Sequence, residues 1–184
     1  MKNIKLLGVT ALMGFALIGS ALAADDPMVG GAPMFASKNI IQNAVNSKDH
    51  TTLVTAVKAA GLVDTLMGPG PFTVFAPVNK AFDKLPKGTV ETLLKPENKA
   101  TLTAVLTYHV VGGKLSADDL KAKVRAAGGQ ATLTTVQGET LTVTQAGRRL
   151  EIVDAKGRKS SITIPDVNQS NGVIHVVDTV LLPK

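Results

Sequence analysis

At Gly129 the hydrophobic spacing of this 184-residue chain changes, and the change restricts the folds open to it. Upstream, apolar residues recur at helical intervals; downstream, they alternate with polar ones as half-buried strands require. In the first half Ile40, Ile41, Ala44 and Val45 share one helix face. Leu53, Val54, Val57 and Ala60 share another, with Asp49 as the expected N-cap and Gly61 as the stop. A short strand, Phe72–Phe75, lies between Gly-Pro-Gly-Pro and Pro77. Helical turns are expected over Asn79–Leu85, from an N-cap at Thr89 to Leu94, and from Pro96 through Leu106. Tyr108–Val111 reads as a buried strand. Ser116-Ala117-Asp118-Asp119 opens a capped helix with Ala117, Leu120 and Val124 on its apolar side.

Beyond Gly129 the alternation predicts strands near Ala131–Val136, Thr140–Thr144, Leu150–Asp154, Ser160–Val167 and Val173–Asp178. Gly138, Ala146-Gly147, Lys156-Gly157 and Asn171-Gly172 supply the turn chemistry between them. Helices followed by a β meander indicate an α+β fold rather than a doubly wound sheet.

Residues 1–23 have the form of a secretory signal peptide. Lys2 and Lys5 precede the apolar run Leu6–Ile18, and Ala21-Leu22-Ala23 is a small-x-small cleavage site. The run is shorter than the ~20 residues of a spanning helix. Cleavage near Ala23 would leave residues 24–184, with no transmembrane segment. It would remove two of the 20 basic residues and none of the 14 acidic ones, leaving a formal charge of +4. The expected destination is the periplasm or the exterior. Residues 24–36, rich in Gly and Pro, read as a flexible N-terminal arm ahead of a single domain over 37–184.

Composition closes several routes to function. There is no cysteine, so disulfides, thiol chemistry and Cys-ligated zinc are excluded even in an oxidising compartment. One Tyr, five Phe and no Trp leave little on which to stack bases, which argues against nucleic-acid partners. No Gly-x-Ser-x-Gly, His-Glu-x-x-His or phosphate-loop motif occurs. Ser170, His175 and Asp178 contain the residue types of a hydrolytic triad, but nothing in the sequence orders them. No enzyme, metal site or cofactor is expected.

Three segments carry a family resemblance: Thr73-Val74-Phe75-Ala76-Pro77-Val78-Asn79-Lys80-Ala81-Phe82, Leu106-Thr107-Tyr108-His109-Val110-Val111-Gly112-Gly113, and Asn171 through Pro183 with Val173-Ile174-His175-Val176-Val177-Asp178 at its heart. In this order they resemble the two boxes and the Tyr-His motif of the fasciclin (FAS1) domain, over about residues 37–184. The resemblance implies a wedge of two β-sheets with several helices packed alongside. It also implies a secreted, non-enzymatic bacterial adhesion module whose partner is an extracellular protein or glycan; a monomer is expected. Val78 stands where the family often has a helix-capping Thr or Ser, and Asn79 would supply the oxygen instead.

Phe72, Phe75 and Phe82 are half of the chain's six aromatics and read as the main packing anchor. His109 and His175, on apolar segments, read as buried imidazoles bonded to backbone or carboxylate; His50, near a helix start, is expected to face solvent. From the resemblance, Tyr108 and His109 are candidate partner-binding residues, with Asp166 and Val167 in the place of an Asp-Ile pair that adhesive animal members carry. Against this, Tyr108 and His109 have the apolar neighbours of core residues, and Asp166 the setting of a loop carboxylate that accepts backbone hydrogen bonds. A second reading draws on charge. Lys121, Lys123 and Arg125 lie off the apolar side of their helix, and Arg148, Arg149, Arg158 and Lys159 lie at successive hairpin turns. If those turns shared one edge, they would form a patch for acidic glycans or anionic surfaces.

Overall fold

The computed structural model describes residues 26–184. The signal peptide, Ala24 and Asp25 lie outside the described residues. A two-stranded hairpin comes first, β1 (Met28–Val29) and β2 (Ala32–Pro33), followed by α1 (Ile40–Ala44), α2 (Thr51–Ala60) and α3 (Val63–Met67). Next are β3 (Phe72–Pro77), α4 (Asn79–Asp83), α5 (Thr89–Leu93), α6 (Lys99–Tyr108), β4 (Val110–Gly112) and α7 (Ala117–Ala126). The meander is β5 (Gln130–Thr134), β6 (Thr140–Ala146), β7 (Arg149–Val153), β8 (Lys159–Gln169) and β9 (Gly172–Val177).

Seven strands form one mixed sheet in the order β4-β3-β9-β8-β7-β6-β5. The pairings are antiparallel except for β3 with β9, which run parallel from Phe72 opposite Gly172 to Pro77 opposite Val177. A bridge between Val111 and Thr135 brings the two ends of the sheet together, so the sheet nearly closes into a barrel. Strand β8 is where it folds over. Its register against β9 shifts between Ile162 and Ile164 and again before Val167, and Asp166 sits in this bulge with φ of 57°. A bulge adds local twist and bend, and here it lets β8 serve both faces of the wedge.

Two large apolar clusters follow from this geometry. One joins the hairpin, α1 and α2 to Val74, Ala76, Ile174 and Val176. The other packs Leu120 and Val124 of α7 against Leu141, Val143 and Ile152, with Phe75, Tyr108 and Leu181. Phe75 is fully buried, whereas Phe72 and Phe82 are half-buried at the cluster margin, so Phe75 alone is a central anchor.

Several local expectations are corrected. Over its described residues the supposed arm is a packed hairpin: Val29 and Met34 are buried, and the Lys48 amide donates to the Gly30 carbonyl. Tyr108 ends helix α6 instead of opening a strand, because its ring must point from that helix into the second cluster. Thr89 is the first residue of α5 and Gly88, at φ 81°, is the N-cap. Asp49 does not cap α2. Asn79 does so from across the fold: its Oδ1 accepts from the Thr52 amide at 3.0 Å and its Nδ2 donates to the Lys48 carbonyl at 2.8 Å. α4 consequently has no side-chain cap at Val78, and Asn79 does not replace one.

Candidate functional site

The three motif segments meet around β3. Phe75 donates its amide to the His109 carbonyl, β3 pairs residue for residue with β9, and the Leu181 amide donates to His109 Nε2 at 3.0 Å. Nε2 therefore accepts, and Nδ1–H donates to the Val105 carbonyl at 2.8 Å. His175 has the opposite tautomer. Its Nδ1 accepts from the Asp166 amide and its Nε2–H donates to the Leu115 carbonyl at 2.8 Å. Its ring stacks on Phe75 with centroids 5.8 Å apart. Burial pushes the His109 ring down to about 4, against the raising effect of the Val105 carbonyl, and burial likewise lowers His175. Both imidazoles are neutral pins joining distant segments.

Tyr108 is fully buried. Its hydroxyl donates to the Thr140 carbonyl and accepts from the Ala155 amide, each at 2.9 Å, so it ties β6 to the β7–β8 turn. Burial raises its phenol above the ordinary value. His109 and Val167 are buried as well, and Asp166 is the member of this candidate set that reaches the surface. One oxygen of Asp166 accepts from the Ala117 amide at 2.7 Å and so satisfies the first N–H of α7; the Ser116 capping box satisfies the Asp119 amide in the same turn. That bond holds the non-glycine residue in its left-handed conformation at the bulge.

The basic residues divide into two groups. Successive turns of an antiparallel meander alternate between sheet ends. The Gly147-Arg148 turn between β6 and β7 is thus separated from the Asp154–Arg158 turn by the five residues of β7, roughly 15 Å at ~3.3 Å per residue. That exceeds the ~8 Å over which exposed charges reinforce one another in physiological salt. The single patch expected from successive turns does not form. Arg158 is also committed inward: its Nε and Nη2 reach Asp154 Oδ2 at 2.9 and 2.8 Å. Lys159 pairs with Glu151 at 3.4 Å and Lys121 with Asp118 at 3.0 Å. At the other end Gln130 lies opposite Thr144, so the last turn of α7 arrives beside the Arg148 turn. Lys123, Arg125, Arg148 and Arg149 are all exposed there. Two acids adjoin this group: Asp119, one helical turn before Lys123, and Glu151, two residues after Arg149 and paired with Lys159.

Three polar residues with structural consequences escape sequence reasoning. Burial alone would raise the Asp154 carboxyl, but bonds from the Leu182 and Arg158 amides and from the guanidinium hold it below the usual range. Asn171, read as a turn residue, accepts from the Ile40 amide and donates to the Leu66 and Gly68 carbonyls. His50 is buried rather than solvent-facing, because the hairpin covers it. No periodicity announces such bonds; an Asx turn before Gly was the available signal for Asn171. Ser170, His175 and Asp178 are not assembled as a triad. Both His175 nitrogens are taken by backbone, and Asp178 accepts from the Ser161 amide. Among the described residues no group of His, Asp or Glu converges as a metal site, and no helix is long and apolar enough to cross a membrane.

A nearly closed mixed sheet with helices packed on it, built around three mutually bonded motif segments, defines an α+β wedge of the FAS1 type. Residues 48–183 match the fasciclin domain family, and the chain belongs to that family. It is 40% identical over 186 residues to the protein sll1483 of Synechocystis, across 97% of this chain and 96% of that one. It is 37% identical to the immunogenic protein MPB70 of Mycobacterium bovis, across 76% of this chain and 66% of that protein. The cell surface glycolipoprotein MPB83 of the same species is 35% identical, across 84% and 64%. Among solved structures, the FAS1 domain pair of the insect cell adhesion molecule Fasciclin I matches with a TM-score of 0.71 at 21% identity. That match covers 79% of this chain and 51% of the pair, so the chain spans about half of it and the likeness is one of fold.

Proposed function

We propose that this protein is a secreted, non-enzymatic binding module that holds extracellular or cell-surface components and reaches its compartment through residues 1–23. Membership of an adhesion-related domain family over residues 48–183 carries this reading. A cell surface glycolipoprotein among its relatives and a cell adhesion molecule among its structural neighbours support it. Protein recognition would go through Asp166, whose Oδ2 is left without a partner at the surface. Val167 and His175 would support that loop from inside, with Tyr108 and His109 holding the scaffold behind it.

A specific observation favours a second reading, in which the ligand is an acidic glycan or anionic surface. Lys123, Arg125, Arg148 and Arg149 gather at one end of the sheet, where the neighbouring acids are already engaged: Glu151 pairs with Lys159 and Asp119 closes the Ser116 capping box. Positive charges there attract polyanions over about a Debye length. The test is binding of the exported protein to immobilised matrix proteins and to sulfated polysaccharide across a salt series. Binding that survives salt and drops in Asp166→Ala supports receptor-type recognition. Binding that collapses with salt and in Arg148→Glu/Arg149→Glu, but not in Lys159→Glu, supports the polyanion reading. Absence of binding to both ligand classes would refute the proposal.

A further inference from the structure

Beneath the N-terminal hairpin lies a cavity of about 40 Å³, between α1, α2 and the parallel pair β3/β9. Its walls are aliphatic, apart from Phe75 and two imidazoles, His50 and His109. Both His109 nitrogens are bonded elsewhere, to Val105 and Leu181. His50 differs. It is 4% exposed, its Nδ1 bonds Ser47 Oγ at 2.9 Å, and its Nε2 is buried with no hydrogen-bond partner.

A buried polar atom left unbonded costs about 1–3 kcal/mol, so such an atom in a native fold calls for an explanation. Water is a poor one. The space would admit about three water-sized occupants at ~10–15 Å³ each, but a held water needs about two to four polar partners. This cavity offers His50 Nε2 and, near the ring, the Ala76 carbonyl, which makes no hydrogen bond to Nε2; together they are the least a water could use. The complementary occupant fills the aliphatic volume with carbon and spends a single polar group on Nε2. Because Ser47 can donate to Nδ1 or accept from it, Nε2 is either donor or acceptor, and a hydroxyl group satisfies both cases.

We propose that this cavity is a binding site for a small apolar molecule carrying one hydroxyl group, of the size of a three- or four-carbon alcohol, with the hydroxyl bonded to His50 Nε2. Val29 of the hairpin closes the outer wall and Ala44 of α1 lies beside it. The hairpin is therefore the cover that must lift for entry. The site does not depend on which extracellular partner the surface binds.

The test is NMR of the intact exported protein with labelled methyl groups and imidazoles, titrated with propan-1-ol and, separately, with xenon as the probe lacking a hydroxyl. Propan-1-ol is expected to give saturable shifts at Val57, Val110 and Ile174 and to move the His50 Nε2 resonance. Xenon is expected to shift the same methyls and leave Nε2 in place. His50→Leu should weaken propan-1-ol about fivefold, the worth of one neutral hydrogen bond, with xenon unaffected. Ala44→Leu, which fills the cavity from a helical position, should abolish both responses. Shifts that never saturate, or that persist in Ala44→Leu, overturn the proposal. So does a long-lived water contacting the His50 ring in the presence of propan-1-ol.

Discussion

Replacing Tyr108 by Phe removes one oxygen atom and nothing else from the Tyr108-His109 motif. In this fold the oxygen is structural: it donates to the Thr140 carbonyl and accepts from the Ala155 amide, each at 2.9 Å. Two neutral hydrogen bonds contribute about 0.5–1.5 kcal/mol apiece. The two losses are unequal. Thr140 lies in β6 and keeps its sheet pairing with Thr134, whereas Ala155 is in a half-exposed turn where water can reach its amide. The expected cost is therefore about 1.5–2.5 kcal/mol. In a domain of this size that lowers Tm by roughly 3–10 °C, at about 2–4 °C per kcal/mol. Urea unfolding should show the midpoint falling with the m-value unchanged, because the surface exposed on unfolding is the same. Partner binding, measured where more than 95% of the variant is folded, should equal that of the parent. A loss below 0.5 kcal/mol would show that the hydroxyl bonds do not matter. Lost binding in a stably folded variant would show that Tyr108 meets the partner, and the buried-scaffold argument would fail.

The neutral histidines set a pH dependence. His109 is held at about 4, against ~6.5 unfolded, and His50 and His175 are shifted in the same direction, each chiefly by burial. Between those values the unfolded chain binds more protons, so stability is full above pH 6.5 and falls as pH drops toward 4. His109 alone contributes on the order of 3 kcal/mol across that window. Urea midpoints that stay level from pH 7 to 4.5 would refute the assignment. Asn171→Ala removes one acceptor and two donations that join α1, α3 and the start of β9. It should cost about 2–4 kcal/mol, read by chemical denaturation, with a loss under 1 kcal/mol counting against the hub. Gly30→Ala would place a Cβ against Ser47 and the Lys48 and Asp49 amides at φ of 59°. It should release the hairpin, giving early proteolysis near residue 30 while the seven-stranded sheet stays protected from hydrogen exchange.

The β half was legible almost to the residue. Alternation such as Leu141, Val143 or Leu150, Ile152 has one interpretation when polar residues stand between, and Gly147, Gly157 and Asn171-Gly172 mark the turns. The helical half was readable in outline, but its caps were not. Asn79 is spent on α2, 27 residues away in sequence, and Asp166 on α7, 49 residues away. Local spacing carries no information about a donor supplied by a distant segment. The hairpin at 28–33 was missed because Gly30-Gly31 between single apolar residues looks like unstructured leader. What orders it is burial of Val29 and Met34 against helices that the sequence does not place.

The surroundings of the candidate site residues were illegible for a related reason. A motif that repeats through a family signals a shared constraint, and here all three segments satisfy one: they bond to each other around β3, through the Phe75 amide, the β3/β9 register and the Leu181 amide on His109. Residues engaged in that way have little left for a partner. Under the proposed function, recognition would fall to groups whose bonding is unsaturated at the surface: Asp166 and the cations at the Arg148 end. The two lie on different constraints. Asp166 is placed by the bulge in β8 and by the first N–H of α7, so its position moves only if the wedge does. The cations stand on a hairpin turn and a helix terminus, where substitution costs the fold little. If the turn end binds polyanions as proposed, its specificity could change while the motif segments stay fixed. Charge reversal at Arg148 and Arg149 should accordingly alter binding with Tm unmoved, whereas any change at Tyr108, His109 or His175 should register first as lost stability.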